Sequence, residues 1–301
     1  MIRRLSVIIP TRNRARSLKA LLDSLQRSVR PESTAVEMIV VNNGSTDETS
    51  DLLSRETHRA QFPDLIVLHQ PIPGKANAIN LALTVARGDV LLVLDDDVSV
   101  HPQCLVKHIE AHEQENFAAV QGRVQPGEDL DGQGAALRRL QEYNIPLVDY
   151  GDAIVPIRGL TGTNMSFKRE ILERVGNFDA RLGPGASGFS EDTEFSMRIR
   201  RAGFTIGYTP HAIVYHELNP ERYGRAYNRD VEYRKGVSRS VYRHDSIAFK
   251  VLPNLLANCL RYALYSMLGL REKAYKTEGR IMKCCGYLMG KWRPPASRRS
   301  S

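Results

Sequence analysis

The sequence predicts an α/β fold with a mostly parallel central sheet and a helical C-terminal extension. Three observations carry this. Short apolar, β-branched runs alternate with helical-period segments through the first hundred residues. Several of those runs end abruptly in residues that carry chemistry rather than in simple turns. The charge changes sign near residue 219.

Leu5–Pro10 (LSVIIP) is a buried strand stopped by proline. Ser17–Arg27 places Leu18, Leu21, Leu22 and Leu25 at the helical period. Val36–Val41 is a second strand, closed by the turn Asn42-Asn43-Gly44-Ser45. Thr46–Arg55 opens on Thr-Asp-Glu and reads as a helix. Leu65–His69 is a third strand, Ala76–Ala86 an Ala- and Leu-rich helix, and Asp89–Leu94 a fourth strand running into Asp95-Asp96-Asp97. This alternation means right-handed crossovers and a parallel sheet, whose ligands sit at the carboxyl ends of the strands. Thr11-Arg12-Asn13, Asn42-Asn43 and the three aspartates all fall there.

The second half is more mixed. Ala119–Val124 reads as a strand, and Asp152–Arg158 and Asn164–Phe167 flank the glycine-rich turn Gly159–Gly162. Lys168–Val175 is a short helix and Gly183–Gly188 a mobile, glycine-rich loop. Glu191–Ala202 is an amphipathic helix with Phe195 and Ile199 on one side; Thr205–Tyr208 and Ala212–Tyr215 are two short strands. The domains expected are a sheet domain over 1–218 and a basic helical extension over 219–301, with a disordered tail from Pro294.

The 301 residues, 42% hydrophobic and 25% charged, suffice for a real core and exclude wholesale disorder. The formal charge of +8 alone would suggest nucleic acid, but residues 219–301 carry a net +12 and residues 1–218 a net −4. The excess belongs to the C-terminal segment. Four cysteines with no CxxC pair argue for reduced thiols in the cytoplasm and against a structural zinc site. The first apolar run is too short for a signal peptide, and no stretch is apolar enough to span a bilayer.

Three adjacent carboxylates repel one another unless a cation neutralises them. A hard divalent metal does so while leaving positions open for phosphate oxygens. The alternative is a solvated acidic turn, and placement directly after DVLLVL favours the metal. Gly74-Lys75 lacks the spacing of a phosphate loop. Gly183–Gly188 matches GxGxxG with no strand before it, which excludes a dinucleotide fingerprint. Glu191-Asp192 at a helix start serves either as first-turn acids or as a general base. His216, ending VYH, reads as a structural histidine or a metal contact.

Taken in order, SVIIPTRNR, IVVNNGSTDET, PGKANAIN, ARGDVLLVLDDD, GTNMSFKRE, SEDTEFSMRIRRAG and VYH resemble the family 2 glycosyltransferases with the GT-A fold, over about residues 4–216. The resemblance implies transfer of a sugar from a nucleotide-sugar donor, a UDP-sugar by expectation, with inversion and with Mn²⁺ or Mg²⁺. Pro10, Thr11 and Arg12 match the loop over the nucleobase. Asn43 stands where many relatives carry Asp against the base edge. Lys75 matches a nucleotide contact, and Asp95 and Asp97 the outer members of the DxD motif. The resemblance makes Asp96 the ribose contact, Asp97 and His216 the metal ligands, Asp192 the catalytic base and Glu191 the residue that orients the acceptor.

The QxxRW motif and spanning helices of processive synthases are absent, so the expected reaction adds one sugar to a saccharide, lipid-linked or other hydroxyl acceptor in cell-envelope synthesis. A helix over 254–270, with Asn254, Asn258 and Arg261 on one narrow face, and the cations of 250–301 suggest a peripheral anionic membrane contact at the cytoplasmic face of the plasma membrane. No nucleic acid partner is expected. A nucleotidyltransferase is the nearest enzyme alternative, disfavoured because TRNRARS lacks glycine. A silent binding module is disfavoured by the presence of both Asp97 and Asp192.

Overall fold

A computed structural model describes residues 1–57, 64–127, 147–217 and 224–293. The chain forms two compact units. Among the described residues, the first holds 1–57, 64–127, 147–179 and 191–217, and the second holds 180–190 and 224–293.

The first unit is one sheet with helices on both faces. Its parallel half comprises β1 (Arg4–Thr11), β2 (Ala35–Asn42), β3 (Leu65–His69) and β4 (Val90–Leu94), in the order β3-β2-β1-β4. Helices α1 (Ala15–Gln26), α2 (Thr49–Thr57) and α3 (Lys75–Val85) make the crossovers. Successive residues of a strand point to opposite faces. Leu5, Val7 and Ile9 therefore join the core with Leu18, Leu21, Leu22 and Leu25 of α1, while Ile8 joins the opposite core with Ala78, Ile79 and Ala82 of α3. Both faces are buried, which explains the unbroken apolar runs.

Beyond β4 the sheet becomes mixed. It continues through β8 (Asn164–Lys168), β6 (Ala119–Pro126), β9 (Ile206–His216) and β5 (Val98–Val100), with β7 (Val155–Ile157) also on β9. Only β6 and β9 pair in parallel here. Helix α4 (Cys104–Gln114) packs Leu105 and Ile109 into the core of α1. Helices α5 (Glu170–Val175) and α6 (Glu191–Arg201) pack Ile171, Phe195 and Ile199 into the core of α3.

Several elements differ from the sequence expectation. The two short strands at 205–208 and 212–215 are one continuous β9. Pro210, which has no N–H to donate, lies where the pairing slips: Gly122 faces Thr209 but Arg123 faces Ile213. Lys168 ends β8 rather than opening a helix. The helix expected from Thr46 starts at Thr49, where Asp47 accepts a backbone hydrogen bond from Thr49. Neither β5 nor α4 was expected.

The second unit packs α7 (Arg225–Tyr242) against α9 (Arg271–Trp292), with a π-helical turn (Ile247–Val251) leading into α8 (Leu252–Met267). Glycines let the backbones of α7 and α9 touch: a Cβ on Gly286 would sit 1.9 Å from the Tyr233 carbonyl oxygen. Arg225 pairs with Glu278 and Lys283 with Glu232 across the same seam. The loop Gly183–Gly188 belongs to this unit, and its end contacts α7. Ser187 Oγ and Phe189 N both lie within 3.1 Å of Ser238 Oγ on α7. No helix of the described residues is long and apolar enough to cross a membrane. The expected disordered tail lies outside the described residues.

Candidate active site

Sheet register assembles the site. Ile8 of β1 pairs with Val93 of β4, so the aspartates that follow Leu94 lie level with Pro10 and Thr11. Leu94 pairs with Asn164 of β8, which brings Asp95 beside Thr163. Val98 pairs with His216, which brings Asp97 to the end of β9. Each aspartate thus meets a different wall.

Asp95 accepts a hydrogen bond from Thr163 Oγ1 at 3.0 Å and an ion pair from Lys75 Nζ. Lys75 opens α3 and lies 3.6 Å from Glu191 Oε1. Asp96 accepts from Thr11 Oγ1 at 2.7 Å and from the Arg12 backbone N–H at 3.4 Å. Arg14 spans the other two carboxylates, with Nε 3.6 Å from Asp96 Oδ1 and an ion pair to Asp97. His216 Nε2 stands 3.4 Å from Asp97 Oδ1, while its Nδ1 lies 2.5 Å from the Glu217 carbonyl oxygen. That carbonyl contact orients the ring, with Nε2 facing Asp97.

Asp192, in the first turn of α6, accepts from the Gly162 backbone N–H at 3.0 Å. Consecutive residues of one loop, Gly162 and Thr163, therefore hold Asp192 and Asp95. The loop comes very close to Lys75: a Cβ on Gly162 would lie 2.8 Å from Lys75 Nζ. Ser190, just before the acidic pair, turns the chain at φ +77°, a region Ser rarely adopts.

Burial dominates the electrostatics. It pushes the Asp96 carboxyl up to about 7 against the pull of Arg14, with Asp97 adding repulsion. Burial also raises Glu191 to about 7, reinforced by Asp192 and opposed by Lys75. For Lys75 burial works downward, but Asp95 and Glu191 outweigh it and hold the ammonium charged. Arg14 likewise stays charged against burial because Asp97 and Asp96 face it.

Asn43 sits at the end of β2, with its side chain wired into the turn before α3. Its amide donates to the Gln70 and Ile72 carbonyls at 3.1 and 2.8 Å, and its oxygen accepts from Gly74 N–H at 2.7 Å. One oxygen lone pair remains for a ligand. Pro10 lies at the end of β1 opposite Val41.

Asp97 and His216 could hold a divalent cation. Asp97 Oδ1 and His216 Nε2 are a carboxylate and an imidazole separated like neighbouring ligands of one ion, beside further carboxylates. Among the described residues no group of three His, Cys, Asp or Glu side chains is arranged to hold a metal.

The profile of the glycosyl transferase family 2 matches residues 6–176. The chain belongs to glycosyl transferase family 2. This family 2 chain is 24% identical over 258 residues to the probable glycosyltransferase YdaM of Bacillus subtilis, covering 82% of this chain and 58% of that one. It is 25% identical over 231 residues to glycosyltransferase AglE of Haloferax volcanii, covering 77% and 72%. The chain spans 58% and 65% of the length of two Bacillus subtilis relatives, YdaM and YfnE. Among solved structures, it superposes on the mannosyltransferase PcManGT of Pyrobaculum calidifontis, in complex with GDP-Man and Mn²⁺, with a TM-score of 0.65 at 21% identity. That match covers 97% of this chain and 87% of the other. Residues 1–349 of S. aureus TarS give a TM-score of 0.55 at 17% identity, covering 95% and 92%. These matches place the chain in the GT-A fold.

Arg14, Thr163 and Gly162 were missed from the sequence. Arg14 is the cation between two aspartates, yet in TRNRARS it is one of three arginines, and only the register of β1 against β4 selects it. A second missed group lies behind the site. His108 and His112 of α4 share Ser166 Oγ at 2.8 Å each, and His108 Nε2 meets Asn164 Oδ1 at 2.8 Å. The Asn164 amide donates to the Arg123 and Ala212 carbonyls. The HxxxH spacing on one face of an amphipathic segment was the available signal.

Proposed function

We propose that this chain transfers a single sugar, with inversion, from a nucleotide-sugar donor to an acceptor hydroxyl, using Mn²⁺ or Mg²⁺. Support comes from one observation above all. A single loop, Gly162–Thr163, holds both Asp192 and Asp95, so a proton acceptor stands beside a carboxylate cluster suited to a metal and a diphosphate.

The residue roles proposed are those that the family resemblance implies, with Arg14 added from its place between the aspartates. Pro10, Thr11 and Arg12 close over the nucleobase, and Asn43 meets the base edge through its remaining lone pair. Asp96 contacts the ribose. Asp97 and His216 would hold the metal, with Asp95 beside them; when bound, it would supply positive charge against the leaving diphosphate. Lys75 and Arg14 turn from the carboxylates towards the donor's phosphates. Asp192 takes the proton from the acceptor hydroxyl as that oxygen attacks the anomeric carbon from the opposite face, and Glu191 orients the acceptor.

A UDP-sugar is the proposed donor. PcManGT was solved with GDP-Man and TarS with UDP-GlcNAc, so both nucleotides belong in the screen. The acceptor is a saccharide or lipid-linked hydroxyl in cell-envelope glycan or glycolipid synthesis, with the basic C-terminal segment against the cytoplasmic face of the plasma membrane. Asp192→Asn tests the central role. Transfer falls by about a thousandfold or more, while the donor's dissociation constant stays near the wild-type value. Full activity in that variant refutes the assignment.

A further inference from the structure

Helix α8 carries an exposed apolar row on its outer side, although its inner side, with Leu255, Tyr262 and Tyr265 partly buried, is apolar as well. Asn258 is only 5% exposed and faces inward, with Nδ2 donating to the Asn254 carbonyl. The opposite side carries Leu252, Leu256, Leu260, Leu264 and Met267, all exposed, with Leu260 at 74% and Met267 at 79%. Phe249, in the π-helical turn before it, is 90% exposed. A leucine row at i, i+4, i+8 and i+12 forms one continuous stripe. Soluble monomers rarely present such a stripe without a partner for it.

The charges around the stripe indicate the partner. Between Asp245 and Glu272 the sequence holds no carboxylate, and its cations are Lys250, Arg261 and Arg271. They stand before, beside and after the apolar row. Lys273, Lys276 and Arg280 follow on α9. Cations predominate along the border of this face, with Lys250 paired to Asp245 and Lys276 to Glu272, and an apolar row edged by Arg261, Arg271 and Lys273 matches a bilayer interface with anionic headgroups. A second copy fits less well. Two-fold pairing about Leu260 would bring the Arg261 of each copy close together with no carboxylate in the segment to neutralise them.

We propose that the Leu252–Met267 stripe, led by Phe249, inserts into the acyl boundary of an anionic bilayer with α8 lying in the membrane plane. The inference rests on the membrane reading above and changes its physics: the contact is chiefly hydrophobic, and the cations set its lipid preference. At 16 residues, about 24 Å of helix, α8 is suited to lying on a bilayer rather than crossing it. An acceptor carried by a lipid would then be met at the surface where it resides.

The test is flotation of the full chain with vesicles of phosphatidylcholine alone or mixed with phosphatidylglycerol, at low and high salt. Wild type should float with the mixed vesicles and retain part of that binding at high salt, where exposed charges are screened. Combined Leu256→Gln, Leu260→Gln and Met267→Gln should weaken partitioning on the order of 100-fold, with an unchanged circular dichroism spectrum because all three side chains are exposed. Combined Arg271→Gln and Lys273→Gln should remove only the salt-sensitive part. If the leucine variant floats like wild type and the charge variant does not, the membrane reading survives and the inserted stripe is refuted. If wild type floats with neither vesicle, both fail. A concentration-dependent dimer that the leucine variant dissolves, without flotation, refutes the inference in favour of a second copy.

Discussion

Two buried polar regions adjoin the start of β8, and they are built on opposite principles. On one side, Asp95, Asp96, Asp97, Glu191, Lys75 and Arg14 crowd full charges together, with burial raising two of the carboxyls to about 7. On the other, His108, His112, Ser166 and Asn164 form a connected uncharged cluster, in which Asn164 Oδ1 accepts from His108 Nε2 and the single Ser166 hydroxyl proton serves one of the two imidazoles. Burial holds the two histidines down, at about 4 and about 3. The charged region has interactions it can exchange for a ligand's. The neutral region carries no charge to exchange and fixes the strand from which the Gly162–Thr163 loop springs. Substitutions should therefore cost function in the first and stability in the second.

The largest stability effect is expected at Asn164. Asn164→Ala removes contacts to His108, Arg123 and Ala212 at once. It should destabilise the protein by about 3 kcal/mol or more, read from urea unfolding. A loss below about 1 kcal/mol would break the contrast. Next comes the acid side of the stability curve. The unfolded histidines titrate near their ordinary value, while the folded ones stay neutral down to about 4 and about 3. From about pH 6.5 down towards 4 the unfolded chain binds protons that the folded chain does not. Each histidine should contribute a fall of about 1.4 kcal/mol per pH unit, opposed over the same range by Asp96 and Glu191, which take up protons in the folded chain first. Replacing either histidine by Gln should make the protein relatively more stable towards pH 4 than wild type, and an unchanged pH dependence would show that the pair does not contribute.

In the charged region the signs reverse. Asp96→Asn relieves a carboxylate whose charge is disfavoured by burial and by Asp97. It should leave stability unchanged or raise it by about 1 kcal/mol, while donor affinity falls. A clear loss of stability would place Asp96 with the structural group. The smallest stability effect is expected from Gly162→Ala, whose added methyl displaces the flexible Lys75 ammonium. Its unfolding midpoint should barely move, while transfer slows by about tenfold or more.

The same contrast explains what the sequence disclosed. Apolar runs and the residues after them revealed β1 to β4, because strands buried on both faces leave no ambiguity and an Asp-Asp-Asp ending has few structural excuses. The three residues of β5 gave no pattern to read, and Pro210 made one strand look like two. Arg14 and the histidine pair were invisible for a different reason. Their partners lie more than fifty residues away, and only sheet register brings them together. Helix α8 was legible as a helix, but the sequence alone did not tell which side faced out. Asn258 proved to face inward beside the partly buried Leu255, and Leu252, Leu256, Leu260 and Leu264 outward.

One measurement tests the central account most directly: calorimetric titration of UDP and GDP, with and without Mn²⁺, into wild type, Asp97→Asn and His216→Ala. The account predicts that nucleotide binds wild type at least about tenfold more tightly with the ion present, and that both variants lose this increment while keeping their unfolding midpoint. Equal nucleotide affinity with and without metal in wild type, or an undiminished increment in Asp97→Asn, would contradict it.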